Sequence, residues 1–336
     1  MSLPRRRVTL KDIAQKTGYA VNTVSKALRN APDLAADTKK SICRIADEMG
    51  YIANSSANSL RSGLSHTLAL IVADITNPLF AITAKEIETA AREVNCTLLV
   101  MNTDEDPENE IKAVRSAIGR GVDGVMLFQT EKTRESVELL ERAGVPCVLI
   151  YRASDDQRAD AVMIDEVQGG YLAGKRLVER GCKKMVMLAV PSHISSSRLR
   201  QEGFMRAMTE AGIGPEGCGV VHLDNVLGSC ESVLEELFSK DEKPDGIFCF
   251  SDIMAFETAC ILRRMGLEIG KDVSLIGFDN VQSKLAIPFG LTTVAVHKTA
   301  MAQEVMKLLL RRISGDYEGH PQRMVMPVHF VERDSV

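Results

Sequence analysis

The sequence of 336 residues has no tryptophan, and aromatic residues make up only 4% of it. No apolar run reaches the roughly 18 residues that a membrane-spanning helix needs. The basic start of the chain is not followed by the apolar stretch of a secretory signal. The chain also has no repeat period or low-complexity bias, which excludes collagen-like, coiled-coil and disordered classes. Its 45% of hydrophobic and 26% of charged residues are typical of a globular protein, and its length favours about two domains.

The residues that usually carry metal or catalytic chemistry form no recognisable pattern. None of the eight cysteines belongs to a CxxC pair, and the six histidines form no HExxH motif or zinc spacing. Most of the cysteines lie in apolar runs, which predicts buried free thiols and a reducing, cytoplasmic location. We therefore expect no metal, no cofactor and no enzymatic activity.

Two nucleotide-binding patterns are nearly present, but each lacks the surroundings that it needs. Residues 212–217 spell GxGxxG, yet they follow a predicted helix and precede a strand, whereas a dinucleotide-binding turn requires the opposite order. Residues 169–175 match GxxxxGK, but Arg176 stands where a Ser or Thr would hold Mg²⁺. We interpret both stretches as ordinary helix and loop sequence.

Charge is distributed unevenly along the chain. Residues 1–65 contain 11 Lys and Arg against 5 Asp and Glu, a net charge of +6. Residues 66–336 contain 30 against 40, a net charge of −10, so that the whole chain carries −4. A small basic segment on a large acidic body indicates that the segment has a polyanionic partner.

The basic segment predicts three short helices. Thr9 and Asp12 have capping-box spacing, and Gly18 can end the first helix in the left-handed conformation. Apolar residues then recur with helical spacing over 21–28 and 36–49. Three short helices with a glycine in the first turn are typical of a helix-turn-helix unit, and positive charge suits contact with phosphates.

The residue strings of this segment match a known family. VTLKDIAQKTGYAVNTVSKALRN at 8–30 resembles the DNA-binding head of the lactose-repressor (LacI/GalR) family, and 37–63 resembles the third helix and hinge of that family. The resemblance implies that the second helix reads the major groove of operator DNA. Contacts with base edges are then expected from Val21, Asn22 and Lys26. Contacts with the DNA backbone are expected from Thr9, Thr23, Ser25, Thr38, Lys39 and Tyr51.

The hinge and two substitutions need separate comment. Residues 53–62, ANSSANSLRS, are small and polar and would form a disordered linker in isolation. The resemblance implies a hinge that becomes helical on DNA, in which Asn54 and Ala57 line the minor groove and Leu60 is an apolar wedge. Ala20 and Ala35 stand where the family usually has serine. We therefore expect one phosphate contact and one helix cap to be absent, and the cap is worth about 1 kcal/mol.

The rest of the chain alternates continuous apolar strands with amphipathic helices, in two series over 67–151 and 161–279. This pattern predicts parallel sheets covered on both faces. The predicted fold class is an α helix-turn-helix head plus an α/β body with two doubly wound, periplasmic-binding-protein-like lobes. The predicted division is 1–52 for the head, 53–65 for the hinge and 66–336 for an effector-binding and dimerisation domain, with an N-lobe of about 66–165 and 296–324 and a C-lobe of about 166–292 and 325–336.

Polar residues follow nearly every predicted strand of the body, where parallel sheets place their ligands. Each of them could be a helix cap, but their recurrence favours a site for a hydroxyl-rich molecule such as a sugar. Strings such as DITNPLF at 74–80 and DVSLIGFDN at 272–280 resemble the effector domain of the same family. Together these observations imply effector contacts from Asn77, Phe80, Asp165, His193, Arg200, Ser251, Phe278 and Asp279.

Two features of this predicted site bear on the effector. The planar fork of Arg200 can span two ligand oxygens or a carboxylate. Several family members have a stacking aromatic residue in the region where this chain has Asp224 and Asn225. Phe80 or Phe278 would have to supply that face instead, and the identity of the effector stays open.

The sequence favours a cytoplasmic, ligand-responsive transcriptional regulator of the repressor kind, which binds a pseudo-palindromic operator as a homodimer. Its expected partners are double-stranded operator DNA, a small sugar-like effector and a second copy of the chain, and a further regulatory protein stays open. One rival is a solute-binding protein for a transporter, which would have no use for residues 1–63. The other is a sugar-active α/β enzyme, which would need a nucleophile, a metal set or a phosphate loop.

Overall fold

The computed structural model describes residues 8–52, 63–130, 134–151, 158–224, 227–284 and 289–336. The chain divides into two compact units, Met1–Ser65 and His66–Val336. This division falls where the charge of the sequence changes sign. The predicted hinge contacts Asn54, Ala57 and Leu60 lie outside the described residues, and so does Asn225.

Within residues 8–52 the first unit contains three helices, α1 (Leu10–Thr17), α2 (Val21–Leu28) and α3 (Ala36–Glu48). Each helix is amphipathic, and their apolar sides enclose a small core formed by Ile13, Val24, Ala27, Ile42 and Ala46. The short lengths and the tight connection between α1 and α2 are those of the predicted helix-turn-helix unit.

The ends of these helices follow from their sequence. The Thr9 hydroxyl oxygen accepts from the Asp12 N–H at 3.4 Å, the Thr9 N–H donates to the Asp12 carboxylate at 2.8 Å, and this capping box begins α1. Gly18 ends the helix at φ 75°, a conformation that costs glycine little. Ala35 offers no side-chain cap to α3, as the sequence predicts.

The second unit is built on two six-stranded sheets. The first has the order β2-β1-β3-β4-β5-β11, with every neighbouring pair parallel. Its strands are β1 (Thr67–Val72), β2 (Thr97–Asn102), β3 (Gly124–Leu127), β4 (Cys147–Tyr151), β5 (Asp160–Ile164) and β11 (Arg323–Met326). The central strands are buried on both faces, which explains their uninterrupted apolar sequences.

The second sheet has the order β7-β6-β8-β9-β10-β12. Its strands are β6 (Met185–Ala189), β7 (Cys218–His222), β8 (Gly246–Cys249), β9 (Ser274–Phe278), β10 (Thr292–Val296) and β12 (Val328–Val331). The edge strand β12 runs antiparallel to β10, whereas the sequence predicts parallel sheets. The chain reaches β12 directly from the neighbouring sheet, without the crossover helix that a parallel strand would require.

Helices cover both sheets. They are α4 (Pro78–Glu93), α5 (Pro107–Gly119), α6 (Glu135–Arg142), α7 (Glu166–Arg180), α8 (Ser195–Glu210), α9 (Cys230–Ser239), α10 (Asp252–Arg264) and α11 (Lys298–Ile313). The chain passes between the sheets after β5, after β10 and after β11, and α11 packs on the first sheet. The predicted lobe boundary at 324/325 is therefore displaced, because all of β11 pairs with β5 in the first sheet.

None of the helices in the described part of the chain is long and apolar enough to cross a membrane. All eight cysteines are free thiols, and Cys182, Cys218, Cys230 and Cys249 are buried. Burial raises the pKa of each of these four thiols above its ordinary value, so that they are poor nucleophiles.

Candidate functional sites

The outer face of α2 is the surface that the sequence predicts to read DNA. Val24 and Ala27 are buried in the core of the head. Val21 and Asn22 lie on the opposite side, where Val21 is 41% exposed and Asn22 is also exposed. Neither side chain belongs to the core of the head, so this face of α2 is exposed to a partner.

The third predicted base contact, Lys26, has an acidic neighbour within the head. Its Nζ lies 2.5 Å from the Asp33 carboxylate, and both side chains are largely exposed. The hydrogen bond from Lys26 lowers the pKa of Asp33, so the carboxylate is ionised at neutral pH. Sequence reasoning missed Asp33, because a loop aspartate seven residues from a lysine has no helical or strand spacing that would pair them.

The residues predicted to contact the DNA backbone fall into two groups. Thr23, Ser25, Thr38 and Lys39 are half-buried on the head, and Lys39 Nζ donates to Asn30 Oδ1 at 2.6 Å. The other two residues, Thr9 and Tyr51, also serve the fold: Thr9 caps α1, and Tyr51 packs against the core of the head. The structure leaves their DNA contacts as predictions.

The second unit contains a cavity of about 360 Å³ at the carboxyl ends of its strands. Both lobes line it, as the fold predicts for a two-lobed α/β body. The first lobe contributes Asn77, Leu79, Phe80, Glu105, Phe128, Thr130 and Tyr151. The second lobe contributes Glu166, Val190, Pro191, His193, Ile194, Ser196, Arg200, Asp224, Phe250, Ser251 and Asp279.

One wall of the cavity is aromatic. The rings of Phe80 and Phe128 meet edge to face with centroids 4.9 Å apart, and Phe128 stacks on Tyr151 at 5.5 Å. The Tyr151 hydroxyl is 3.2 Å from the Thr83 hydroxyl, and burial raises the pKa of the phenol above its ordinary value. This wall can pack against the apolar face of a ring-shaped ligand.

The opposite wall is built around Arg200, whose side chain is only 4% exposed. Its Nε donates to one Glu166 oxygen at 2.6 Å, and its Nη2 donates to the other at 3.3 Å. Its Nη1 donates to the backbone carbonyl of Phe250, and its guanidinium carbon lies 3.5 Å from the Phe278 ring centroid. The Arg200 fork that sequence analysis assigns to a ligand is thus engaged by a buried carboxylate of the protein.

Behind Arg200 lies a buried cluster of titratable groups. Asp279 Oδ1 is 3.8 Å from Arg200 Nη2, and burial raises the pKa of Asp279 to about 7 against the opposing charges of Arg200 and Lys298. Burial and the nearby Asp279 charge likewise raise the pKa of Asp252 to about 7. Burial lowers the pKa of Lys298, whose Nζ donates to the Asp279 carbonyl. Strongly shifted groups at a cleft are a mark of functional sites.

The backbone at Asp279 is strained. Its φ is 103°, in a region that residues with a Cβ rarely adopt. Lys298 holds the Asp279 carbonyl, and the following residue, Asn280, accepts from Arg333 Nη2 at 2.7 Å. Strain of this kind costs about 1–3 kcal/mol and persists where the surroundings fix the backbone.

The pairing of Arg200 with Glu166 depends on an unusually close approach of α7 and α8. A Cβ on Gly170 of α7 would lie 1.9 Å from the carbonyl oxygen of Arg200. A Cβ on Gly203 of α8 would lie 1.9 Å from the carbonyl oxygen of Val167. Only glycine permits this contact of the two helix backbones, and the contact places Glu166 beside Arg200.

The structure brings six of the eight predicted effector residues to this cavity, namely Asn77, Phe80, His193, Arg200, Ser251 and Asp279. Two of the six also cap helices, because Asn77 accepts from the Leu79 N–H and Ser251 from the Met254 N–H. Capping and cavity lining are therefore compatible roles at a strand end.

The other two predicted residues lie elsewhere, which corrects the prediction. Asp165 caps α7 by accepting from the Gln168 N–H, and it lines a separate cavity of about 210 Å³. Phe278 is 1% exposed beneath the Arg200 guanidinium and does not line the cavity. Of the two aromatic residues that could supply a ring face, Phe80 lines the cavity, together with Phe128, Tyr151 and Phe250.

Sequence analysis did not find Glu166, Tyr151 and Phe250 among the lining residues. Tyr151 ends β4, Phe250 directly follows β8, and Glu166 is the first residue of α7. The signal that could have found Glu166 is a second carboxylate directly after Asp165. Among the residues described, no group of three or more His, Cys, Asp or Glu side chains could hold a metal ion.

Comparison with known proteins follows the same division of the chain. The model for bacterial regulatory proteins of the lacI family matches residues 9–54. The model for the periplasmic binding protein-like domain matches residues 175–336. The HTH-type transcriptional repressor PurR of Actinobacillus pleuropneumoniae serotype 3 is 30% identical over 331 residues, which cover 98% of each chain.

Solved structures agree with this relationship. The chain resembles the transcriptional regulator CelR in complex with cellobiose, with 25% identity, a TM-score of 0.71 and coverage of 98% of this chain and 100% of that one. It has the fold of the lac repressor dimer bound to operator and the anti-inducer ONPF, with a TM-score of 0.84, 22% identity and coverage of 98% and 99%. The chain therefore belongs to the LacI family of bacterial regulatory proteins and is a transcriptional regulator.

Proposed function

We propose that this regulator is a repressor that binds a pseudo-palindromic operator as a homodimer and responds to a small polar effector. The observation that carries the proposal is the exposed face of α2, where Val21 and Asn22 stand clear of the core in a unit of net charge +6. The base-edge readers are Val21, Asn22 and Lys26. The phosphate and sugar contacts are Thr9, Thr23, Ser25, Thr38, Lys39 and Tyr51, and the hinge contacts are Asn54, Ala57 and Leu60.

The effector occupies the cavity of about 360 Å³ in the second unit. Its contacts come from Asn77, Phe80, His193, Arg200, Ser251 and Asp279. CelR was solved with cellobiose, which supports a sugar-like effector here. The lac repressor was solved as a dimer on its operator, which supports dimeric binding. A ligand that favours one arrangement of the two lobes biases the DNA-binding state by its differential affinity.

As such a regulator, the protein has no catalytic role and acts in the cytoplasm, where its operator DNA lies. A transporter's solute-binding protein would share the body, but the match of residues 9–54 to the lacI family disfavours it. The raised pKa values of Asp252 and Asp279 are the feature that would favour an enzyme. Both carboxyls are engaged within the protein, because Asp252 accepts from the Val281 N–H and the Thr293 hydroxyl and Asp279 lies beside Arg200.

Titration of the full-length protein against a pool of random duplexes tests the DNA-binding proposal. We expect enrichment of one pseudo-palindromic sequence, with affinity that falls steeply with salt because phosphate contacts release counterions. Asn22→Ala should weaken binding by about 1–3 kcal/mol and relax the choice of base at one position of each half-site. Lys175→Ala, on the exposed side of α7, is the control and should bind like the unsubstituted protein. An unselective pool, or equal losses in the two variants, would refute the proposal.

A further inference from the structure

The charge of the effector can be inferred from the lining of the cavity. Arg200 is the one lysine or arginine among the described lining residues, whereas Glu105, Glu166, Asp224 and Asp279 supply four carboxyl groups. The single cation is already paired, because Arg200 reaches both oxygens of Glu166 and both side chains are 4% exposed. An anion that enters the cavity would therefore meet carboxylates and an arginine whose charge is compensated.

We propose that Glu166 makes the cavity selective for an uncharged, hydroxyl-rich ring, such as an unphosphorylated sugar, and excludes phosphorylated sugars and sugar acids. This inference rests on the proposed function, since it concerns the effector of that same cavity. Glu166 acts as an internal counter-anion that occupies the place a ligand carboxylate or phosphate would take on Arg200.

Displacement of Glu166 by a ligand anion is strongly disfavoured. Its carboxylate is buried at the first turn of α7, and the glycine contacts between α7 and α8 hold the two helix backbones together. A displaced Glu166 would remain buried without its ion-pair partner. This loss would lower the affinity for the displacing anion by about 10²- to 10³-fold.

The remaining lining groups suit an uncharged ligand. Asn77, Ser196 and Ser251 offer amide and hydroxyl groups, and Phe80 and Phe250 offer ring faces. Thr130 lines the cavity at 2% exposure, and its hydroxyl has no hydrogen-bond partner within the described residues. Hydroxyl groups of a ligand can donate to and accept from such side chains without bringing a net charge into the site.

The variant Glu166→Gln tests this inference without any knowledge of the effector. The change removes the counter-anion and keeps a carbonyl oxygen for Arg200 to contact. In thermal unfolding of the full-length protein, we expect the Tm of Glu166→Gln to be higher in sodium sulfate than in sodium chloride of equal ionic strength. The unsubstituted protein should show only the general effect of sulfate on folded proteins. The added response should disappear in the double variant Glu166→Gln/Arg200→Ala.

The matched control is Glu179→Gln, which makes the same change of charge on the exposed face of α7. If Glu166→Gln responds to sulfate no more than Glu179→Gln, the inference is wrong. It is also wrong if the unsubstituted protein already gains a sulfate response that Arg200→Ala removes, because Arg200 would then accept anions despite Glu166. Glu166 lies in the second unit and is not one of the proposed DNA contacts, so either result would leave the proposed DNA-binding function standing.

Pairs of ligands provide a second measurement that does not require the variant to fold. The unsubstituted protein is heated with D-glucose, glucose 6-phosphate and gluconate, and with D-ribose and ribose 5-phosphate. We expect any gain in Tm to come from the uncharged members. A gain with a phosphorylated sugar or a sugar acid that exceeds that of its uncharged counterpart would overturn the inference.

Discussion

Asp279 shows how a single residue acquires its properties from its surroundings. Its carboxyl group is buried beside Arg200, and its backbone carbonyl is held by Lys298. The family resemblance was enough to predict Arg200 and Asp279 from sequence. It was not enough to predict that Glu166, 34 positions before Arg200, would take the guanidinium, because that pairing depends on a helix contact that one sequence does not display.

The raised pKa of Asp279, about 7, predicts a pH-dependent effector affinity. Hydroxyl groups of the effector donate best to the ionised carboxylate, so binding should strengthen as pH rises through this value. Ionisation increases from about a tenth to about nine tenths between pH 6 and 8, which predicts about a tenfold gain in affinity. Isothermal titration at these two pH values measures it.

Asp279→Asn is expected to remove most of this pH dependence at the cost of weaker binding. Asp252→Asn is the control, because the pKa of this neighbouring carboxyl is also raised to about 7 although it does not line the cavity, and the variant should keep the slope. A slope that persists in Asp279→Asn but vanishes in Asp252→Asn would assign the proton to Asp252 instead.

At the scale of the helices and strands, the alternation of apolar strands and amphipathic helices was sufficient to predict both lobes. The capping box of α1 and the glycine that ends this helix could also be predicted, because they depend on residues three to nine positions apart. The antiparallel direction of β12 and the extent of β11 could not be predicted from the sequence. Both strands are short and half exposed, and the periodicity of such a strand does not identify its neighbour in a sheet.

The close contact of α7 and α8 leads to a prediction about stability. Gly203→Ala would place a methyl group 1.9 Å from the Val167 carbonyl oxygen, and the helices would have to separate. We expect the free energy of unfolding of the body to fall by about 1–3 kcal/mol, the usual cost of overpacking. Urea denaturation compares the variant with the unsubstituted protein.

Gly119→Ala is the matched control, since Gly119 ends α5 with a helical φ and a Cβ there would meet nothing within 4 Å. That change should be neutral or stabilising by less than about 1 kcal/mol. Equal stability of the two variants would show that the backbones of α7 and α8 do not meet as closely as the structure places them.

At the scale of the whole molecule, charge and core divide the chain at the same place. The unit of net charge +6 has its own core around Ile13 and Ile42, and the unit of net charge −10 has two sheets of its own. An acidic body opposes non-specific contact with DNA, so that binding depends on the head.

Removal of residues 1–65 should therefore abolish operator binding and leave the effector site intact. The shortened protein should keep the effector-dependent rise in Tm, because the whole lining of the cavity lies beyond residue 65. Fluorescence anisotropy with the selected operator and thermal unfolding with the effector provide the two measurements. Loss of the effector response together with DNA binding would contradict the division into independent units.

The most direct test of the account is the linkage between the two ligands. Operator affinity of the full-length protein is measured with and without saturating effector, and effector affinity is measured with and without operator. We expect the effector to change operator affinity by the same factor by which the operator changes effector affinity, about 5- to 150-fold, because coupling between two sites is reciprocal. An operator affinity that does not change when the cavity is filled would contradict the claim that this protein is a ligand-responsive regulator.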